Sequence, residues 1–267
     1  MSDLRWVIDF ARDRVEHSKR WSQKAWPPTN DAELIDRIRQ QVLSDTIVLT
    51  CPVTKEGDGC FYALLFATTL VNALASKDFW IRGAITRGPH YHDDERGIVF
   101  SPAFVEAYMM GENEAFYPRV LVAEKVSKDA EQVRLVDTGQ EGEDVLKQRR
   151  TFAQKAILID RDGRCFLNYL SSIDADNLLH WDEAPETYRW CDAEHIALSR
   201  HAELIGRHLQ EHAGNPRIAA KYGWLADYHN RFCEALPKDL PDKYRIPFGF
   251  QGGRSGAGDS PSPSSPS

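Results

Sequence analysis

No uninterrupted apolar run in this chain approaches the ~20 residues that a membrane-spanning helix needs. The longest candidate, Phe61 to Ala75, is broken by Thr68, Thr69 and Asn72 and reads as a buried helix. The opening Met1-Ser2-Asp3-Leu4-Arg5 lacks a charged segment followed by an apolar core, so no signal peptide is expected. Cysteine is scarce: Cys51, Cys60, Cys165, Cys191 and Cys233 are an odd number, with no CxxC and no Cys/His metal spacing. Reduced thiols in a cytoplasmic protein fit that usage. The sequence also lacks GxxxxGK[ST], a GxGxxG between strand and helix, GxSxG and HExxH. Those absences count against P-loop, Rossmann, serine-hydrolase and zincin chemistry. There is no basic excess either. Forty acidic against 33 basic residues leave a net charge of −7, which excludes a general nucleic-acid binder.

What is present is an ordinary folding composition, 42% hydrophobic and 27% charged over 267 residues. Leu4, Val7, Ala11 and Val15 form a helical stripe that Pro27-Pro28 stops. Val42-Leu43, Ser44-Asp45 and Thr46 to Cys51 read as two strands about a polar turn. Phe61 to Leu74 follows as a helix, then Phe79 to Thr86 as a strand with Pro89 to Asp94 as its hairpin partner. Phe104, Val105, Tyr108 and Met109 predict a second buried helix. Arg119–Ala123, Ala156–Ile159 and Cys165–Leu170 are further strands, with an Asp-Gly turn at Asp162-Gly163. The segments Ala193–His212 and Arg217–Ala235 are long helices. The fold class is therefore α+β. The expected organisation is an α+β domain over 1–172, a helical extension packed on it over 173–250, and a disordered Gly/Ser/Pro tail over 251–267.

The hairpin Ser44-Asp45-Thr46-Ile47-Val48-Leu49, then Arg82-Gly83-Ala84-Ile85-Thr86-Arg87-Gly88, then Gly97 to Tyr108, then Asp162-Gly163 and Asn168-Tyr169-Leu170, occur in a fixed order. This series resembles the class III nucleotidyl cyclases, the catalytic domains of adenylate and guanylate cyclases. It is nearest to the uncharacterised bacterial cyclase-like proteins. Lys221 to Asn230 looks like that group's C-terminal helix, and the likeness covers roughly Gln40 to Asn230. The resemblance implies a ferredoxin-like sheet and a homodimer with a nucleoside triphosphate between its subunits. It also implies Mg2+ or Mn2+ on a pair of aspartates, and loss of pyrophosphate to give a cyclic mononucleotide, a phosphorus–oxygen lyase reaction. On this likeness Asp45 and Asp9 are the metal positions, and Arg82 and Arg87 face phosphate. Gln41, Ile98, Ser101 and Glu106 are the substrate-side positions.

The chain departs from the family in four places. Trp6-Val7-Ile8-Asp9-Phe10 lacks the family's glycine and reads as helix rather than strand, so three explanations stand: Asp9 serves, a strand lies upstream of Met1, or the first carboxylate has been lost. Gln40 or Gln41 replaces a base-reading lysine, and Ser101 replaces a glycine. Val105 and Met109 fall where the family has the Asn and Arg that stabilise the transition state. Two functions follow. One is a metal-dependent nucleotide cyclase. The other is a catalytically degenerate nucleotide-binding or dimerisation module acting through a partner. Arg96 and Arg119 read as surface arginines or spare phosphate contacts, and His90 with His92 fits a metal site or a polar hairpin end.

Overall fold

The computed structural model describes residues 36–43, 45–53, 58–93, 96, 98–131, 150–173, 189–236 and 244–247, with Asp9, Asp13, Glu16 and Leu34 as isolated positions. The expected tail at 251–267 lies outside the described residues.

The first hairpin forms as its sequence suggests. Strand β1 (Arg39–Leu43) pairs antiparallel with β2 (Thr46–Thr50), Leu43 opposite Thr46, with Asp45 in the turn between them. Helix α1 (Asp58–Ala75) is buried on most sides. Its entry is tight: a Cβ added at Gly59 would sit 1.8 Å from the Pro52 carbonyl oxygen. Its exit is a Schellman turn. The Phe79 and Asp78 amides donate to the Leu74 and Ala75 carbonyls, and Asp78 takes the left-handed conformation at φ 69°.

Strand β3 (Gly83–Ile85) pairs parallel with β6 (Val120–Val122). Between them lie β4 (Tyr91–Asp93), β5 (Ile98–Phe100) and helix α2 (Pro102–Asn113). Helix α3 (Glu124–Glu131) follows β6, then β7 (Ile157–Ile159) and β8 (Cys165–Leu167). The main sheet has the order β3-β6-β8-β7, while β1-β2 and β4-β5 are separate two-stranded pairs. The architecture is α+β. Helix α4 (Arg189–Glu211) packs against α5 (Pro216–Glu234), and α5 packs on the sheet, where Trp224 and Tyr228 both meet Phe166 edge-on. Among the described residues no helix is long and apolar enough to cross a membrane.

Several expectations are corrected. Residues Phe79–Arg82 are not strand, and β4 pairs with β5 rather than β3. The strand from Cys165 stops at Leu167, because Tyr169–Ser172 turn into a 3-10 helix whose Leu170 amide donates to the Tyr228 hydroxyl. Helix α2 exists, but Val105, Tyr108 and Met109 are exposed instead of buried. It approaches β3 by its other side, where Gly111 lies against Gly83. Asp9 is helical and exposed. The hairpin β1-β2 and the main sheet do not form one continuous sheet, since no ladder joins β2 to β3.

Candidate functional site

The break between β2 and β3 is a groove of about 1140 Å³. Its apolar floor comes from α1, with Ala63, Ala67 and Leu70. The hairpin turn carries Asp45 to one rim, and the segment after α1 carries Arg82, Arg87 and Thr86 to another. Ser101, at the start of α2, also lines the groove.

Four of the residues singled out from sequence, Asp45, Arg82, Arg87 and Ser101, therefore converge. Gln41, Ile98, Glu106 and Asp9 are not among the residues that line the groove. Ile98 is exposed on β5. Glu106 accepts from Lys125 at 2.6 Å, and that bond holds its carboxyl below the usual range. Ser101 has a structural role as well: its Oγ accepts from the Phe104 amide at 3.0 Å and caps α2, and it donates to the Pro89 carbonyl at 3.2 Å.

Arg37 and Arg39 also line the groove, and the sequence reading passed over them. They flank Ile38, which is wholly buried, so an i, i+2 spacing about an inward residue was the available signal. With Arg82 and Arg87 they set four guanidinium groups against the carboxylates of Asp45 and Glu112. Three of these arginines are engaged: Arg39 donates to the Asp36 and Ile38 carbonyls, Arg82 holds both oxygens of Glu112, at 2.9 and 3.0 Å, and Arg87 pairs with Asp129. The two ion pairs, Arg82–Glu112 and Arg87–Asp129, are partly exposed on both sides and contribute only about 0–1 kcal/mol each, so an incoming anion can displace them. Asp45 is exposed and has no partner among the described residues.

Those donors decide what ion the groove can take. One free carboxylate suits a single Mg2+ or Mn2+ that brings most of its oxygen ligands as phosphate and water. A resident pair of ions needs a second carboxylate, and Glu112 is already held by Arg82.

Arg119 proves to be no surface arginine. It is 1% exposed and bound by Asp160 and Asp162, from the turn that Gly163 closes at φ 79°. The Arg119 bond holds the Asp162 carboxyl below its usual range. Asp160 also accepts from Trp224 Nε1 at 2.7 Å, and Trp224 stacks on Tyr117. This cluster ties α5 to the sheet and places Trp224 in packing. Arg96 is exposed, and His92 has no described side chain.

In comparisons with known proteins, no family model, no curated protein and no solved structure matches this chain.

Proposed function

We propose that the chain is a cyclase-like protein that binds a nucleoside triphosphate, with one divalent ion, in the groove between β2 and β3. The observation that carries this reading is the convergence of Asp45 with Arg37, Arg39, Arg82 and Arg87 on one concave surface. An anion with several charges gains from clustered guanidinium groups, which grip phosphate oxygens in pairs. A divalent ion bound with the phosphates offsets their charge and polarises the α-phosphorus for attack. Asp45 would hold that ion from the hairpin turn, while the arginines orient the phosphate chain. The apolar floor excludes water from beneath the nucleotide.

Catalysis of cyclisation, with Mg2+ or Mn2+ and a cyclic mononucleotide as product, is the second reading. It is favoured by the exposed, unpartnered Asp45 in a turn of the kind the cyclases use. Val105 and Met109 weigh against it, because exposed apolar side chains can neither orient a ribose nor neutralise a phosphate. They fit a different role. Val105, Tyr108 and Met109 stand at i, i+3 and i+4 and share one exposed apolar face of α2, suited to a second copy of the chain in a homodimer.

The test is calorimetry with Mn2+ and each triphosphate in turn, on wild type and Asp45→Asn. The substitution keeps size and removes charge, and it should weaken metal-dependent binding about tenfold or more, roughly 1.4 kcal/mol. Equal affinity in the variant would move the ion elsewhere, and no binding by wild type would end the proposal. Assay of the same mixtures for pyrophosphate and cyclic nucleotide separates the two readings.

A further inference from the structure

Helix α4 ends in a group of side chains that the nucleotide groove does not use. His208 and Glu211 lie in its last turn and His212 directly follows it, at i, i+3 and i+4, and one ligand atom from each lies within 4.8 Å of the other two. The two imidazoles are parallel within 4°, with centroids 5.7 Å apart. Tyr222 of α5 lies flat against both, at 4.4 Å and 5.9 Å.

His208 is held from its far side. Its Nε2 is 2.7 Å from Asp78 Oδ1, so Nε2 carries the hydrogen and donates to the carboxylate. In the neutral ring Nδ1 is then a bare lone pair. It is buried without a hydrogen-bond partner and lies 3.5 Å from Glu211 Oε2. A carboxylate behind one ring nitrogen and an open acceptor in front is the arrangement of a metal-ligating histidine.

Asp78 is itself over-determined. It occupies the left-handed position of the α1 exit turn, where glycine would cost least, and its carboxylate accepts from Trp80 Nε1 and Arg207 as well as His208. The charges facing the cluster are Asp78, Glu211 and the Arg207 guanidinium, whose Nε is 3.9 Å from Glu211. With neutral imidazoles they sum to −1, and the carbonyl end of α4 adds to the attraction for a cation.

We propose that His208, Glu211 and His212 form a zinc site, with Asp78 as the positioning residue that orients His208. Two imidazole nitrogens and one carboxylate oxygen leave a fourth, tetrahedral position open to water. Ligand atoms around zinc stand about 3.4 Å apart, which the exposed Glu211 and the partly exposed His212 reach by side-chain rotation. A bound ion would brace the end of α4 against the turn after α1.

The test uses the full chain, with Zn2+ for calorimetry and thermal unfolding and Co2+ for absorption. Wild type should bind one equivalent, with a rise in Tm and a Co2+ spectrum of nitrogen and oxygen ligation. A thiolate charge-transfer band in its place would assign the metal to the cysteines and overturn the site. His212→Ala should keep the metal-free Tm, since the ring is partly exposed, and should lose at least tenfold in affinity along with the Zn2+-dependent rise. Unchanged binding in that variant, or no binding by wild type, overturns the proposal. Asp78→Asn tolerates the left-handed backbone and should weaken binding about tenfold through His208. Wild-type affinity there would overturn the positioning role of Asp78.

Discussion

Arg119 keeps a guanidinium at 1% exposure because Asp160 and Asp162 meet it from a turn 41 residues further along the chain. Two charges removed from water are tolerated only while both are paired. Asp160 is nearly as buried, and it also accepts the Trp224 indole and the Arg161 amide. Arg119→Ala therefore strands a buried carboxylate and should cost about 3–5 kcal/mol in urea unfolding. Asp162 is 40% exposed at its side chain, so its loss leaves the Arg119–Asp160 pair intact. Asp162→Asn should cost less, about 1 kcal/mol in the same measurement. Equal costs would show that the two aspartates share the arginine on the same terms.

Helix α1 shows how one element is set by its ends. Its length is legible in the apolar run, but its start is decided by a contact: Gly59 passes so close to the Pro52 carbonyl that any Cβ must displace backbone. Alanine is the better helix former by about 1 kcal/mol, yet the displaced entry should outweigh that gain. Gly59→Ala should lower stability by about 1–3 kcal/mol. Gly206 in α4 is the matched control, because no atom stands within 4 Å of a Cβ added there. Gly206→Ala should stabilise by about 0.5–1 kcal/mol on propensity alone. Thermal unfolding of the two variants checks the opposed signs.

Across the whole molecule, one hydrogen-bonded chain joins four segments. The Tyr169 hydroxyl donates to His201 Nε2 at 2.7 Å, and His201 Nδ1 donates to His229 Nδ1 at 3.0 Å. His229 Nε2 then donates to the Tyr244 carbonyl at 2.8 Å. This direction satisfies every group with both imidazoles neutral. Burial holds both histidines below their usual value of 6.5, and the neighbouring His229 lowers His201 further. The unfolded chain binds protons near pH 6.5 that the folded chain refuses, so stability is full above that pH and falls as pH drops below it. Tm should be flat from about pH 8 to 7 and decline from about pH 6.5 downward. His201→Gln removes one titrating group and should flatten the decline. A Tm indifferent to pH across that window would mean that the pair is not neutral in the fold.

The sequence by itself determined the local elements. Alternation about Ser44-Asp45 gave the first hairpin and put Asp45 in an exposed turn, the Asp162-Gly163 pair gave the positive-φ turn, and apolar periodicity gave α1, α4 and α5. Each rests on neighbours within a few residues, which is where propensity and periodicity act. Helix α3 escaped notice because only Val126 and Ala130 of its eight residues are buried, too few to stand out among charges. Tertiary structure decided the rest. Whether β4 joins β3 or β5, and whether Arg119 meets water or two aspartates, depends on segments far apart in the chain. The exposed face of α2 has the same apolar pattern as a buried one, and only its packing through Gly111 separates them. The groove is tertiary too: Asp45 and the arginines were legible one by one, but the unpaired edges of β2 and β3 bring them to one surface. The cluster at His208 needed both scales, since helical spacing aligns its three side chains and only the fold carries Asp78 behind the first of them.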